Sequence, residues 1–549
     1  VNPRLANSLW QASTWPDAHR FRQATRHVAE TQARLLSGYL QANADTDFGR
    51  RHGFARLSGS ADFRQAVPLS TFDDYAGAIE RIGRGEQRVL TAEPVRRFEP
   101  SGGSTTGVKL LPYTASLQAE FRRGIAPWIA DLFGHYPALK AGRAYWSVTP
   151  LAARQSTPGG IPIGFDADSA YLGRLGRQLF AGLMAVPDAV KRVTQMPVFR
   201  YVTLLRLLSA ADLRLISVWN PTYLMLLLAE LPQHWDALLA DIAAGTLCPP
   251  GPLTADLAIE LRGTGRPNPT RARELSRCGP EDLRALWPGL ALVSCWADGP
   301  AASYAEQLAA RLPGVVLQAK GLLATEAFVT LPLVGVDGAP LAVCSHFFEF
   351  LPDDGGEARL AHELDQGRSY EVVVTTGGGL YRYRLQDRVL VTGHFGQAPC
   401  LRFLGKTDRV SDWFGEKLSE PFVAQALAKA CAQAAVTATF ALLAPDDTAP
   451  GFRYTLYLEP AAGEIGEDSV RHLGNSLDQQ LRLSFHYDWC RQLGQLGPVR
   501  VVIVQDGARG YLEACRAAGQ RLGDVKPAAL VTSTGWGARL APAEHLVSA

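Results

Sequence analysis

Residues 101–112 read SGGSTTGVKLLP, with three glycines and four hydroxyl side chains in the first seven positions and Lys109 two places further on. That mixture suits an anion. Backbone N–H groups in a glycine-rich turn converge on anionic oxygens, the hydroxyls of Ser101, Ser104, Thr105 and Thr106 add donors, and a lysine supplies a point charge. Gly102 and Gly107 have the separation of a Walker A loop, G-x-x-x-x-G-K-[ST]. The residues that follow are Val108, Lys109 and Leu110, so the lysine is displaced by one and the magnesium-binding hydroxyl is missing. The Walker register fails, which leaves a phosphate loop of another kind or a plain Gly/Ser surface turn. No G-x-S-x-G elbow, H-E-x-x-H helix or G-x-G-x-x-G fingerprint occurs, so hydrolase, zinc-protease and Rossmann readings lack a motif.

The elements around such a loop show in the apolar spacing. From Asp17 to about Ala42, the positions Phe21, Ala24, Val28, Ala29, Leu35, Leu36 and Leu40 predict one amphipathic lead-in helix. Strands at 291–298 and 314–321 flank a helix at 301–312, an alternation that argues for α/β layers. The pattern then changes to YEVVVTTGGGLYRYRLQDRVLVTGHF (370–395), two β-rich runs joined through glycines. In LYRYRLQD, Leu380, Arg382, Arg384 and Gln386 share one face and Tyr381, Tyr383 and Leu385 the other, with Asp387 expected at a strand end, where a carboxylate can meet a ligand. Beyond 420 come a helix (421–435), strands (437–443 and 453–459), a helix (467–482), a strand (499–505) and a helix (509–520). The expected fold class is α/β: a large multi-layer N-terminal domain over 1–407 and a smaller α+β C-terminal domain over 408–549.

Composition narrows the partners. The 549 residues carry 55 Lys plus Arg against 53 Asp plus Glu, and a net charge of +2 gives no general pull on a polyanion. Nucleic acid is therefore not an expected partner. The arginine-rich piece 262–277 reads as an exposed loop, solvated or touching a phosphate-bearing cosubstrate. Eight cysteines show neither a C-x-x-C pair nor zinc spacing, and read as reduced, packed thiols. The first residues have no apolar signal core, and the longest apolar run, 223–232, is too short to span a bilayer. A cytoplasmic protein with no membrane partner is expected.

Several stretches, in order, carry a family resemblance. The opening loop resembles the phosphate loop of acyl-adenylate-forming enzymes, S-G-T-T-G-x-P-K, with Gly103 six residues before Lys109 as that pattern requires. KGLLATEAF supplies a Thr-Glu pair, Thr325 and Glu326; GLYRYRLQD supplies Asp387; LGKTD supplies a hinge in Gly405, Lys406 and Asp408; GDVKPAAL supplies Lys526. With YWSVTP (145–150), SVWNPTYLMLLL (217–228), SHFFEFLP (345–352) and FLGKTDRVSDWFGEKLSE (403–420), the chain resembles the auxin-responsive acyl acid amido synthetases of plants, in their bacterial branch. Thr106 stands where the wider superfamily has glycine, plant relatives carry the loop lysine one residue later, and Lys406 replaces the usual hinge arginine.

The resemblance implies a reaction. A carboxylic acid attacks the α-phosphate of MgATP, pyrophosphate leaves, and an amine, usually of an amino acid, captures the acyl-adenylate. Ser101, Gly103, Ser104, Thr105, Thr106, Gly107, Lys109, Thr325, Glu326, Asp387 and Lys406 would hold ATP, with Glu326 on magnesium and Asp387 on both ribose hydroxyls. Lys526, or Lys109, would offset charge on the reacting phosphate, Lys526 arriving on a swivelling C-terminal domain unless it is a surface lysine. Trp146, Ser147, Thr149, Trp219, Asn220, Pro221 and Trp296 are nominated for an acyl pocket, against the plainer reading of core tryptophans. Glu349 in FFEF is either a general base for the amine or a paired structural acid. A thiol acceptor, coenzyme A or a carrier protein, and a silent binding relative are the alternatives.

Overall fold

The computed structural model describes residues 2–104, 107–147, 155–164, 182–263, 265–298, 301–406, 410–448, 451–461, 465–517 and 528–540. It divides into two compact units, Val1–Pro100 with Leu110–Thr407 and Ser101–Lys109 with Asp408–Ala549. Among the described residues no helix is long and apolar enough to cross a membrane.

The lead-in region is two helices, Pro3–Ala24 and Val28–Asn43, where the apolar spacing predicts one. Asn2 caps the first by accepting from Arg4 N at 3.0 Å. The break is tertiary in origin: the Thr25 carbonyl accepts from Gln397 N at 2.6 Å instead of continuing the helical ladder. Gly396 (φ 66°) permits that approach, because a Cβ there would lie 2.6 Å from the Thr25 carbonyl. Both helices keep an apolar stripe, so periodicity carries no mark of the break.

Two sheets of the first unit carry chemistry-bearing residues. One is a four-stranded parallel sheet, ordered Arg143–Trp146, Leu213–Ser217, Leu292–Cys295 and Val316–Ala319. Its LVSC strand is buried at all four positions, as expected of a strand covered on both faces. Helix Ala302–Arg311 forms the last crossover, close to the span that alternation suggests. The other is a six-stranded antiparallel sheet, ordered Arg359–Leu360, Phe347–Pro352, Ser369–Thr375, Tyr383–Phe395, Ala398–Lys406 and Ala339–Pro340. Val372, Val373 and Val374 are fully buried in its centre, each burial contributing roughly 1.5–3 kcal/mol.

The smaller unit builds a three-stranded sheet from Ala438–Asp446, Arg453–Pro460 and Arg500–Ile503, with helices Glu420–Gln433, Glu467–Leu481 and Gly507–Ala517. A short helix, Phe485–Gln492, lies where sequence patterning predicts none. Leu442, Tyr457, Val502, Tyr511 and Trp536 form part of its core.

Candidate active site

Glycine chemistry starts the first cluster. Gly379 has φ 92°, and a Cβ there would lie 2.8 Å from Leu90 Cβ, so a side chain is excluded on both counts. The chain then adopts positive φ at two non-glycine residues, Arg382 (50°) and Gln386 (60°), each costing about 1–3 kcal/mol unless the surroundings hold it. Arg382 is firmly held. Its Nε and Nη2 donate to the two Glu349 carboxylate oxygens at 3.0 and 3.2 Å, and its Nη1 donates to the Val67 carbonyl at 2.9 Å. Arg64 Nε adds a bond to Glu349 Oε1 at 2.9 Å.

That arrangement corrects the general-base reading of Glu349. The residue is 1% exposed with both oxygens committed to guanidinium groups, so an incoming amine has neither access nor an unshared acceptor. Glu349 is a structural acid that stabilises a strained arginine. Arg384, on the next turn of the pleat, makes its own bidentate pair with Glu371 at 2.8 and 2.6 Å.

Asp387 is also displaced from its expected place at a strand end. It lies inside the 13-residue strand Tyr383–Phe395, because Arg388, Val389 and Leu390 continue pairing with Glu371, Tyr370 and Ser369. Its backbone register sets it opposite Lys406, and it is 3% exposed. Two sequence-predicted residues, distant by 19 positions, thus become cross-strand neighbours.

Thr325 and Glu326 occupy the two central positions of a tight turn. Ala324 N donates to the Ala327 carbonyl at 2.9 Å and Ala327 N to the Ala324 carbonyl at 3.3 Å, which projects the pair as a tip. Tyr113 Oη donates to the Thr325 carbonyl at 2.6 Å, anchoring the tip to the strand Gly107–Tyr113. Phe328 N donates to His346 Nε2 at 3.0 Å. A backbone N–H cannot accept, so the imidazole proton is assigned to Nδ1, which donates to Glu120 Oε2 at 2.8 Å. Glu120 also accepts from Gly377 N through both oxygens at 3.0 Å and from Tyr39 Oη at 2.8 Å. Burial, then the Glu120 charge, hold the Tyr39 phenol well above its usual pKa, so it remains a donor. One buried carboxylate therefore ties the Thr325–Glu326 turn to the TTGGG turn that precedes Asp387. A cavity of about 270 Å³ lined by Arg34, Tyr39, Glu93, Glu120 and Arg123 opens beside this carboxylate and touches none of the sequence-predicted residues.

The third cluster sits at the carboxyl edge of the parallel sheet, where open α/β sheets bind their ligands. Trp146, Ser217, Ser294 and Gln318 are in register across all four strands and so share one face. Trp128, from helix Ala115–His135, donates Nε1 to Gln318 Oε1 at 2.9 Å. Lys320 follows the last strand and donates Nζ to Ser217 Oγ at 2.7 Å. Its ammonium stands 5.1, 5.9 and 5.4 Å from the ring centroids of Trp128, Trp146 and Trp219. Trp219 is 53% exposed, which the reading of core tryptophans does not explain. Burial pushes the neighbouring Cys295 thiol up to about 11, with the Lys320 charge pulling the other way.

Other nominated pocket residues sort by their bonds. Ser147 N donates to the Ser217 carbonyl and Trp296 N to the Trp219 carbonyl, both at 2.8 Å, extending the sheet ladder past the strand ends. The Trp296 ring lies 5.9 Å from that of Phe403. Asn220 Oδ1 accepts from Thr222 N at 3.0 Å and Thr222 Oγ1 at 2.7 Å, capping the helix Pro221–Ala229. Its carbonyl is therefore structural, as is Pro221 in the helix's first turn.

In the opening loop, Arg97–Ser104 and Gly107–Tyr113 are both strands, so the expected seven-residue turn is shortened from each side. Ser101 is buried and Lys109 half-buried. Gly103, Ser104 and Gly107 belong to these strands, as Gly405 and Lys406 belong to Ala398–Lys406. Thr105, Thr106, Thr149, Asp408 and Lys526 lie outside the described residues. Lys320, Trp128, Glu120 and His346 escaped the sequence reading. Only Lys320 had a legible signal, lying two residues after Gln318 on the same strand face and opening the KGLLATE stretch.

The fold is thus α/β, with a parallel sheet and an antiparallel sheet carrying Asp387 in the larger unit and a small α+β C-terminal unit. Residues 17–317 match the GH3 family N-terminal domain, 339–406 the GH3 family central domain and 422–535 the GH3 family C-terminal domain. The chain belongs to the GH3 family. It is 24% identical to indole-3-acetic acid-amido synthetase GH3.4 of Arabidopsis thaliana, covering 88% of this chain and 86% of that one. It is likewise 24% identical to indole-3-acetic acid-amido synthetase GH3.8 of Oryza sativa subsp. indica, over 88% and 85%. Its fold resembles the AtGH3.15 acyl acid amido synthetase in complex with 2,4-DB, with TM-score 0.65, 22% identity and 95% coverage of both chains. A fold likeness extends to 2-hydroxyisobutyryl-CoA ligase bound to 2-HIB-AMP and CoA, with TM-score 0.53, 13% identity and coverage of 93% and 91%.

Proposed function

We infer that the protein is an ATP-dependent, AMP-forming ligase that joins a carboxylic acid to an amine, with an amino acid as the acceptor. The observation that carries this reading is the ordered GH3 match from residue 17 to 535, whose curated relatives form amides. A carboxylate oxygen attacks the α-phosphorus, the bond to pyrophosphate breaks, and the acyl-adenylate forms. The amine nitrogen then attacks the acyl carbon, AMP departs with the carbon–oxygen electron pair, and the amine proton passes to solvent.

Roles follow from position and chemistry. Asp387 accepts from the ribose hydroxyls, and the 103–107 backbone with Lys109 stabilises phosphate oxygens. Glu326, half-buried at its turn tip and without an ion pair or hydrogen bond among the described residues, fits a magnesium ligand. Magnesium needs only one or two protein carboxylates beside the nucleotide phosphates, so the lack of an acidic cluster among the described residues is no obstacle. When bound, the ion neutralises phosphate charge. Lys406 serves the hinge to a swivelling domain over 408–549, and Lys526 rides on that domain to the reacting phosphate. The carboxyl edge with Trp146, Ser147, Trp219 and Trp296 receives the acid. We place the reaction in the cytoplasm, which the eight free thiols support.

Mass spectrometry of a reaction with ATP, mixed acids and mixed amino acids tests the reading. An acyl-amino acid formed in step with AMP is expected; an acyl thioester in the presence of coenzyme A, with no amide, would overturn it. Lys526→Ala should depress adenylation far more than transfer from preformed acyl-adenylate. Equal losses in both half-reactions would remove the lysine from the adenylating site.

A further inference from the structure

We propose that Glu120 is a positioning residue for nucleotide activation: through Gly377 it fixes the turn that leads to Asp387, and through His346 it fixes the turn that carries Glu326, so that the ribose and magnesium ligands keep one relative placement. The inference rests on the proposed adenylation reaction and deepens it by assigning what holds those two ligands. Both turns meet helix Ala115–His135 where a glycine removes a side chain. A Cβ on Gly377 would lie 2.4 Å from Glu120 Oε1, and one on Gly124, a turn further along the helix, would lie 2.3 Å from Phe328 Cδ1. Gly377 N donates to both Glu120 oxygens at 3.0 Å. Thr114, which caps the helix by accepting from Leu117 N at 3.1 Å, donates Oγ1 to the Gly377 carbonyl at 2.8 Å. The TTGGG turn is therefore held at both the amide and the carbonyl of one residue.

The other turn is held in the same manner. Phe328 lies two residues beyond Glu326; its N–H donates to His346 Nε2 at 3.0 Å and its carbonyl accepts from Ser345 Oγ at 2.9 Å. His346, fully buried, passes the constraint on by donating Nδ1 to Glu120 Oε2 at 2.8 Å. A structural pin needs no charge, and a carboxylate that is 1% exposed is costly unless several donors answer it. What requires a carboxylate here is the number of directions: Gly377 N, Tyr39 Oη and His346 Nδ1 all donate, and an amide has only one accepting oxygen. In Glu120→Gln the amide N–H would either face Gly377 N or turn the imidazole over, setting Nε2–H against Phe328 N. Hydrogen bonds to a carboxylate are also shorter and stronger than neutral ones, which suits a fixed spacing. Magnesium tolerates little error in the placement of its ligands, and a displacement of about 1 Å can cost on the order of 100-fold in rate.

The test reads the two turns separately. The magnesium concentration that half-saturates acid-dependent ATP–pyrophosphate exchange reports on the Glu326 side, and calorimetry of ATP with and without magnesium reports on it without turnover. Calorimetry of AMP in the presence of a chelator reports on the Asp387 side. Glu120→Ala should raise the half-saturating magnesium concentration by about tenfold or more and also weaken AMP binding. His346→Asn keeps a donor for Glu120 but leaves Phe328 N without its acceptor, so it should raise the magnesium requirement and leave AMP binding unchanged. Tyr39→Phe removes a donor to the same carboxylate that leads to neither turn; its melting temperature should fall while both readouts keep wild-type values.

Two results overturn the proposal. One is a folded His346→Asn whose magnesium dependence matches wild type, whatever becomes of Glu120→Ala. The other is a parallel change of both readouts in all three variants, which would make the cluster a matter of general packing. Absence of exchange and of AMP binding in the wild type would instead strike the adenylation reading on which the proposal depends, so the two failures are distinguishable.

Discussion

Two sheets of the larger unit bury polar groups in opposite ways. In and beside the antiparallel sheet three buried carboxylates are answered by protein donors: Glu349 by Arg64 and Arg382, Glu371 by Arg384, and nearby Glu120 by Gly377, Tyr39 and His346. At the carboxyl edge of the parallel sheet, an ammonium stands among indoles, the Ser294 hydroxyl has no hydrogen-bond partner among the described residues and a tryptophan is half exposed. The first pattern holds backbone that would otherwise relax, notably the positive-φ residue Arg382. The second, on the proposed reading, is where the acid binds.

The largest expected effect lies on the preorganised side. Asp387→Ala and Glu326→Ala should each reduce pyrophosphate exchange by about 100-fold or more with a wild-type circular dichroism spectrum and melting curve. Near-normal exchange in both would place the nucleotide elsewhere. Next is Glu349→Ala, which leaves the buried Arg382 and its neighbour Arg64 without their carboxylate and should cost about 3–5 kcal/mol in a denaturant titration. A variant of normal stability with only the amine KM raised would instead give Glu349 a role in binding the acceptor. The smallest change in stability belongs to Trp219→Ala on the open edge, at most about 1 kcal/mol, because the ring is already 53% exposed. Its effect should appear in the acid KM and not in the ATP KM. Equal rises in both would erase the contrast between the two sheets.

The same contrast explains what the sequence made legible. Local structure was readable: the strand carrying Asp387 and the alternation behind the parallel sheet both stand in short runs. Relations across the chain were not. Glu349 and Arg382 are 33 residues apart, and nothing in FFEF announces that two arginines close on its carboxylate. The end of the first helix is set by a bond from Gln397 to the Thr25 carbonyl, far beyond any periodicity window. Glu120 lies 226 residues from His346 in an unremarked helix. The indole surroundings of Lys320 are not legible in the sequence, because the three rings come from separate elements that only the fold assembles.

Acid-dependent ATP–pyrophosphate exchange, run over aryl, indolyl, alkyl and hydroxy acids with no amine or thiol added, tests the central claim most directly. Label should pass from pyrophosphate into ATP only when an accepted acid is present, and this exchange should be lost in Asp387→Ala. Exchange that needs no acid, or none with any acid from a protein that binds ATP, would contradict it.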